Sequence, residues 1–199
     1  MMIIKFIVSL INLVRFLPHC ILLFFYKRQC SDDIQVAMEH RGIENKVYRS
    51  LFLGFLFLMT WDKTYRNIFY YRIKHWKYLI KWIAPPHDSF VIGTYAEIGP
   101  AMLGVHPFGS YINARKIGRN FVIKNNVTIG NKGFNEKPII GDNVEVNVNS
   151  VVFGKIQIGD NVIIGAGTVL NKSVPSNSIV VGNPAYIIKQ NGIRVNRKL

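Results

Sequence analysis

The chain has 199 residues, 49% of them hydrophobic and only 18% charged, yet it carries a formal net charge of +14. That length buries a medium core plus an appendage, and the excess of cations directs the surface toward phosphate: an anionic membrane face, a phosphorylated cofactor or nucleic acid. No RNP-type aromatic motif, zinc-finger spacing or helix-turn-helix pattern occurs, so nucleic acid ranks last and is not expected as a partner.

The opening stretch, MMIIKFIVSLINLVRFLPHCILLFFYKR, is apolar but interrupted by Lys5, Arg15 and Pro18. Its longest uncharged run, Phe16 to Tyr26, is about half of the ~20 residues a spanning helix needs, and no A-x-A type cleavage site follows it. A second apolar run, Leu51–Met59, is also too short to span. From Thr60 to Pro86 aromatics alternate with Lys and Arg. This composition suits helices lying in a membrane interface, and equally suits amphipathic helices packed on one another. Cys20 and Cys30 lack CxxC spacing, and a reduced cytosolic thiol is the simpler reading of each. Pro85-Pro86 ends the helical pattern, giving an α-helical region over 1–90.

From Ile117 a six-residue period takes over. Ile117, Ile123 and Ile129 are followed, after an insertion, by Ile140, Val146, Val152, Ile158, Ile164 and Leu170. A helix requires period 3.6 and a simple strand period 2, so six fits neither. Six residues per side and three sides per turn give a triangular coil of about eighteen residues stacked at strand spacing, ~4.8 Å. The residue after each aliphatic is Gly or Asn in most repeats (Gly118, Gly130, Gly141, Asn147, Gly159, Gly165, Asn171), as expected if these positions take left-handed backbone angles at corners. Four residues after the aliphatic stands a compact or apolar side chain: Val127, Val144, Ser150, Val162, Thr168, Val174. Upstream the phase continues through Ile92, Ile98 and either Tyr111 or Ile112. Two segments depart from it, Met102–Tyr111 and NKGFNEKP at 131–138. The second adds about five residues and is expected to protrude. Such departures are where function tends to sit. The mainly β domain covers 91–188, and 189–199 reads as a basic tail.

The run HPFGSYINARKIGRNFVIKNNVTIG, followed by IIGDNVEVNVNSVVFGKIQIGDNVIIGAGTVLNKSVPSNSIVVGNPA, resembles the serine acetyltransferase group of hexapeptide-repeat acyltransferases, and within it members associated with bacterial surface-polysaccharide synthesis. The resemblance covers about Ile92 to Ile188. It implies a left-handed parallel β-helix, where parallel crossovers are otherwise right-handed, and a homotrimer with acetyl-CoA lying between neighbouring β-helices. It also assigns residues. His106 falls on the catalytic histidine; Gly130, Asn131 and Lys132 fall on a turn that contacts the donor; Val148 and Ala166 fall on coil positions that bind the pantetheine arm. The chain departs from the serine-specific pattern where Val105 and about Val91 replace aspartates. It departs again where Glu136 and Lys137 stand in place of an Arg-His pair that grips the substrate. A glutamate there repels a carboxylate, so the resemblance with these departures favours a saccharide hydroxyl over serine as acceptor.

Acyl transfer from a thioester needs a base for the acceptor hydroxyl, and a neutral imidazole supplies one. His106 is the only histidine after His87. Glu97, the nearest upstream carboxylate in the repeat region, serves either to orient it or as a solvated edge charge; a backbone carbonyl can do the orienting instead. No GxSxG elbow occurs, so direct transfer without an acyl-enzyme is expected. A zinc β-helix needs three histidines, and no metal is expected. The expected function is an O-acetyltransferase on a saccharide hydroxyl, cytoplasmic and peripheral on the inner membrane face. Serine O-acetylation is the first alternative and a non-catalytic trimeric scaffold the second.

Overall fold

The computed structural model describes residues 2–43, 50–133 and 135–199. The chain divides into two compact units, Met1–Asp88 and Ser89–Leu199.

The first unit is helical: α1 (Met2–Ile11), α2 (Leu17–His40), α3 (Leu51–Trp61), α4 (Lys63–Arg72) and the short α5 (Lys77–Ile80). Pro18 occupies the first turn of α2, where its missing N–H has no helical acceptor to lose. Asp62 caps α4, its carboxylate accepting from the N–H groups of Thr64 (2.9 Å) and Tyr65 (3.0 Å). The apolar run Leu51–Met59 lies in α3 and is buried from Gly54 to Met59; it is a core helix, and no helix among the described residues is long and apolar enough to cross a membrane. Charge is buried with its partner. Arg72 grips Asp33 with two bonds of 2.7 and 2.9 Å, and Arg66 donates to the carbonyls of Met59, Thr60 and Pro85. Buried His19 bonds Tyr70 Oη at 2.8 Å through Nε2, and that hydroxyl donates to the Ala84 carbonyl. Part of the apolar composition stays outside: Ile7, Ile11, Val14, Phe24, Trp76 and Trp82 are exposed.

The second unit is a parallel β-solenoid of hexapeptide repeats. Its first coil is β1 (Phe90–Ile92), β2 (Glu97–Ile98) and β3 (Leu103–Gly104); its second is β4 (Ser110–Ile112), β5 (Lys116–Ile117) and β6 (Val122–Ile123). The third is β7 (Thr128–Gly130), β8 (Ile139–Ile140) and β9 (Glu145–Val146), and the fourth is β10 (Val151–Phe153), β11 (Gln157–Ile158) and β12 (Ile163–Ile164). The fifth keeps β13 (Val169–Leu170) and β14 (Ser178–Val181), with a single bridge from Ile158 to Val174 between them. Every third strand stacks in one sheet: β1-β4-β7-β10-β13 in sheet A, β2-β5-β8-β11 in sheet B and β3-β6-β9-β12-β14 in sheet C.

The aliphatics predicted to point inward form the core, each from Ile117 to Leu170 buried, as are Val127, Val144, Ser150, Val162, Thr168 and Val174. Of the two upstream candidates, Ile112 points in and Tyr111 points out. The insertion is visible in the register: Lys116 pairs with Ile139, 23 residues on, whereas Ile139 pairs with Gln157, 18 on. Residues 189–199 do not hang free. Together with the end of the repeat they make β15 (Tyr186–Gln190) and β16 (Ile193–Lys198), an antiparallel hairpin that extends sheet C.

One expectation is corrected. The residues directly after the inward aliphatics are not the left-handed ones. Positive φ falls three residues after the aliphatic, at Asn120, Asn126, Asn143, Asn149, Asn161 and Gly167. The glycines after sheet B strands answer a different need. A Cβ on Gly99, Gly118, Gly141 or Gly159 would come within 2.5–2.9 Å of backbone atoms in the next coil. At this edge Asp142 accepts from the Arg119 N–H, Asp160 from the Asp142 N–H and Ser176 from the Asp160 N–H, while the amides of Asn120, Asn143, Asn161 and Asn177 pass hydrogen bonds from coil to coil.

Candidate functional site

The turn from β3 to β4 carries His106. Gly104 begins it: a Cβ there would meet Pro107 Cγ at 2.9 Å, so the chain can fold back at once. His106 then takes φ 48°, a left-handed conformation that costs a residue with a Cβ on the order of 1–2 kcal/mol. The turn is pinned on both sides. Val105 N–H donates to the Ile123 carbonyl (2.8 Å), Phe108 N–H to the His106 carbonyl (2.7 Å), Asn126 N–H to the Phe108 carbonyl (2.7 Å), and Gly109 N–H to Ser89 Oγ (3.2 Å). The imidazole is thereby lifted out of the coil into solvent. Among the described residues its only ring neighbour is Phe108, at 6.0 Å between centroids, and neither ring nitrogen is hydrogen-bonded.

Val148 and Ala166 stand on this same edge, where sheet C turns into sheet A, two and three coils above His106. Gly167 N–H donates to the Val148 carbonyl (2.9 Å), which leaves the small side chain of exposed Ala166 and the adjacent backbone facing outward. Gly130, Asn131 and Lys132 lie elsewhere, on the edge where sheet A turns into sheet B. Gly130 closes β7, and a Cβ there would meet nothing within 4 Å; neither packing nor backbone angle requires a glycine, and the space in front of it is open. Asn131 caps the start of the protruding loop, its amide donating to the Gly133 carbonyl (3.0 Å) and its Oδ1 accepting from Asn113 (3.3 Å). Within one chain the two groups are separated by the width of sheet A, on the order of 15 Å.

Glu97 opens β2 on sheet B and points outward. Its cross-strand neighbour is Lys116, and no hydrogen bond or ion pair joins it to His106 among the described residues. Glu136 and Lys137, adjacent in sequence, diverge. The Glu136 carboxylate folds back over Gly133, 3.1 Å from where a Cβ would sit. Lys137 instead enters a cleft of about 390 Å³ with Asn135, Arg115 and Tyr95. Tyr95 and Arg115 carry no motif, and sequence reasoning passed over both. The available signal was their common place in successive coils, one turn before sheet B.

Neither cysteine is an activated nucleophile: burial pushes the Cys20 thiol up to about 11 and the Cys30 thiol up to about 12. No group of three metal-capable side chains occurs among the described residues.

Residues 137–172 match the family described as bacterial transferase hexapeptide (six repeats). The chain is also 42% identical over 106 residues to a serine acetyltransferase of Staphylococcus aureus Mu50, covering 51% of this chain and 50% of that protein. It therefore spans about half the length of the relatives it matches. Among solved structures, a serine acetyltransferase of Brucella abortus S19 superimposes with a TM-score of 0.67 at 24% identity, covering 89% of this chain and 74% of that one. The same organism's enzyme in complex with coenzyme A gives 0.65 at 25% identity over 84% and 69%. The resemblance to serine acetyltransferases and the β-solenoid with its helical N-terminal region both stand. None of these relatives is described as acting on a polysaccharide.

Proposed function

We propose that the protein is an acetyl-CoA-dependent O-acetyltransferase with His106 as general base. The supporting observation is the pinned, left-handed turn that holds this solitary imidazole in solvent, both nitrogens unengaged among the described residues. A ring nitrogen of His106 takes the proton of the acceptor hydroxyl as its oxygen attacks the thioester carbonyl. The C–S bond then breaks, and the proton passes to the departing coenzyme A thiolate. The acceptor best supported is L-serine, because the relatives at 42% identity are serine acetyltransferases. This sets aside the saccharide acceptor as first reading. A saccharide hydroxyl remains the second, favoured by the exposed Phe108 ring beside His106 and by exposed Tyr111 and its strand partner Val91 in sheet A: apolar surface suits the carbon–hydrogen face of a sugar ring better than an amino acid.

In the proposed homotrimer the donor lies between two chains, bordered by Val148 and Ala166 of one and Gly130, Asn131 and Lys132 of the next. That arrangement brings together the two groups that a single chain keeps apart. Coenzyme A release from acetyl-CoA, measured with L-serine and with a panel of sugars, tests the activity. His106→Ala should lower it on the order of 10²-fold or more without changing the melting of the solenoid; an unchanged rate would leave the scaffold reading. We place the protein in the cytoplasm, where its donor is made, with the exposed apolar and basic side chains of the helical unit against anionic lipid. Co-sedimentation with phosphatidylglycerol vesicles but not phosphatidylcholine vesicles is the expected result, and equal recovery with both would refute that location.

A further inference from the structure

We propose that the pocket between α2 and the start of α3 holds the hydrocarbon chain of an anionic phospholipid, with the headgroup phosphate on Lys27. The source of that lipid, a membrane surface, rests on the location proposed above; the pocket itself is independent of the transferase chemistry.

Four side chains of α2 line it, Cys20, Leu23, Phe24 and Lys27, and Ser50, Leu51 and Phe52 close it at the start of α3. The α2 positions are spaced i, i+3, i+4 and i+7, which puts them on one face of a helix. The cavity measures about 460 Å³, within the range of ligand pockets, ~300–1,000 Å³. Its lining is graded from inside to outside. Leu23 is buried, Cys20 and Leu51 are half-buried, and Phe24, Lys27, Ser50 and Phe52 are exposed. The interior is apolar, and the polar groups stand at the rim.

The rim favours one sign of charge. Lys27 joins no ion pair among the described residues, and none of the lining residues is acidic. Ser50 stands at the N-cap of α3, yet its side chain makes no cap bond. The first N–H groups of that helix therefore add positive potential at the same place. A neutral head gains nothing from this rim, whereas an anionic head gains from both features. The mouth also opens through apolar surface. Ile7, Ile11, Val14, Leu17, Ile21 and Phe24 are exposed at intervals of three or four residues, leading along α1, the turn after it and α2 to the mouth. Such a stripe is unfavourable in water. Against a bilayer it carries a chain from the lipid to the pocket, which points to a membrane lipid and not to a free fatty acid.

Titration calorimetry of the full chain with lysophosphatidylglycerol below its micelle concentration tests the pocket without a bilayer, so its outcome is separate from that of vesicle co-sedimentation. One chain should bind per protein. Affinity should rise on the order of 3- to 4-fold per methylene along a series from octanoyl to palmitoyl and level off once the pocket is full. An increase with no plateau describes partition onto open surface and overturns the proposal. A monoacylglycerol of the same chain should bind on the order of 10-fold more weakly, and Lys27→Gln, a change on the exposed rim, should bring lysophosphatidylglycerol down to that level. Laurate binding more tightly than the dodecanoyl lysolipid would assign the pocket to a free fatty acid and overturn the phospholipid. The bound chain should also shield Cys20 from maleimide, with Cys20→Ser as the blank for buried Cys30. Labelling that saturating lysolipid leaves unchanged overturns the proposal. So does shielding that rises with protein concentration in the absence of lipid, which would put a second copy over the mouth.

Discussion

The two units bury polar groups in opposite ways. In the helical unit ionisable side chains go inside: Asp33, Arg66, Arg72 and His19 are all buried, each depending on a few named partners. In the solenoid the buried polar side chains are Ser110, Ser150, Thr168 and Ser178, small hydroxyls that bond the backbone, while the carboxamide and carboxylate ladders run along solvent-exposed edges. The helical unit therefore concentrates its polar energy in a few contacts whose loss is felt whole. The solenoid spreads it over repeated rungs, each resting only on its neighbours. All three tryptophans, Trp61, Trp76 and Trp82, lie in the first unit, so tryptophan fluorescence excited selectively follows that unit alone while far-UV dichroism follows both.

The largest expected effect breaks the contrast at its strongest point. Asp33→Ala removes the carboxylate that pairs with the buried Arg72 guanidinium and should destabilise the helical unit by about 3–5 kcal/mol. In urea the fluorescence transition should move to lower denaturant while the β signal stays in place. A common shift of both would mean that the units unfold as one.

Acid sharpens the same contrast. Burial, then the positive charges of Arg66 and Arg15, push the His19 imidazole down to about 4 from its ordinary 6.5. Its Nδ1 has no partner among the described residues, and Nε2–H donates to Tyr70, so the folded state holds the neutral ring. The unfolded chain takes up a proton below 6.5, and stability is lost as pH falls from 6.5 to 4, at most roughly 3 kcal/mol from this group. The fluorescence midpoint should fall between pH 7 and pH 4.5, and His19→Gln should flatten that slope; a slope identical in the variant would assign the acid sensitivity to other groups.

The same division governs what could be read from sequence. The solenoid was legible because one inward position repeats every six residues from Ile117 to Leu170, and because the insertion at 131–138 shows as a break in that count. His106 was legible through its motif. Arg115 and Tyr95 were not, since a cleft made of single residues from three coils leaves no local pattern; it appears only when the coils are stacked. The helical unit gave still less. Arg72 and Asp33 lie 39 residues apart, and an apolar run such as Leu51–Met59 reads alike for lipid and for core until its neighbours are known.

The smallest effect concerns the solenoid's own rule, and it separates two reasons for a small residue. In the rung IGDNV, Gly141 and Asn143 are two residues apart, and composition alone assigns both to left-handed corners. Asn143 has φ 55°, and its amide both receives a bond from Asn120 (2.7 Å) and gives one to Asn161 (2.9 Å). Gly141 has no positive φ; a Cβ there would stand 2.9 Å from the Gly159 carbonyl carbon and 3.0 Å from the Asp160 nitrogen. The exchange should therefore be unequal. Asn143→Gly keeps the backbone angle and loses two exposed amide bonds, costing about 1 kcal/mol. Gly141→Asn would be mild if the angle were the requirement, since asparagine tolerates that region well. With the next coil's backbone in the way it should cost about 1–3 kcal/mol, read from the β transition of the two variants, and equal costs would return Gly141 to the role of a corner residue.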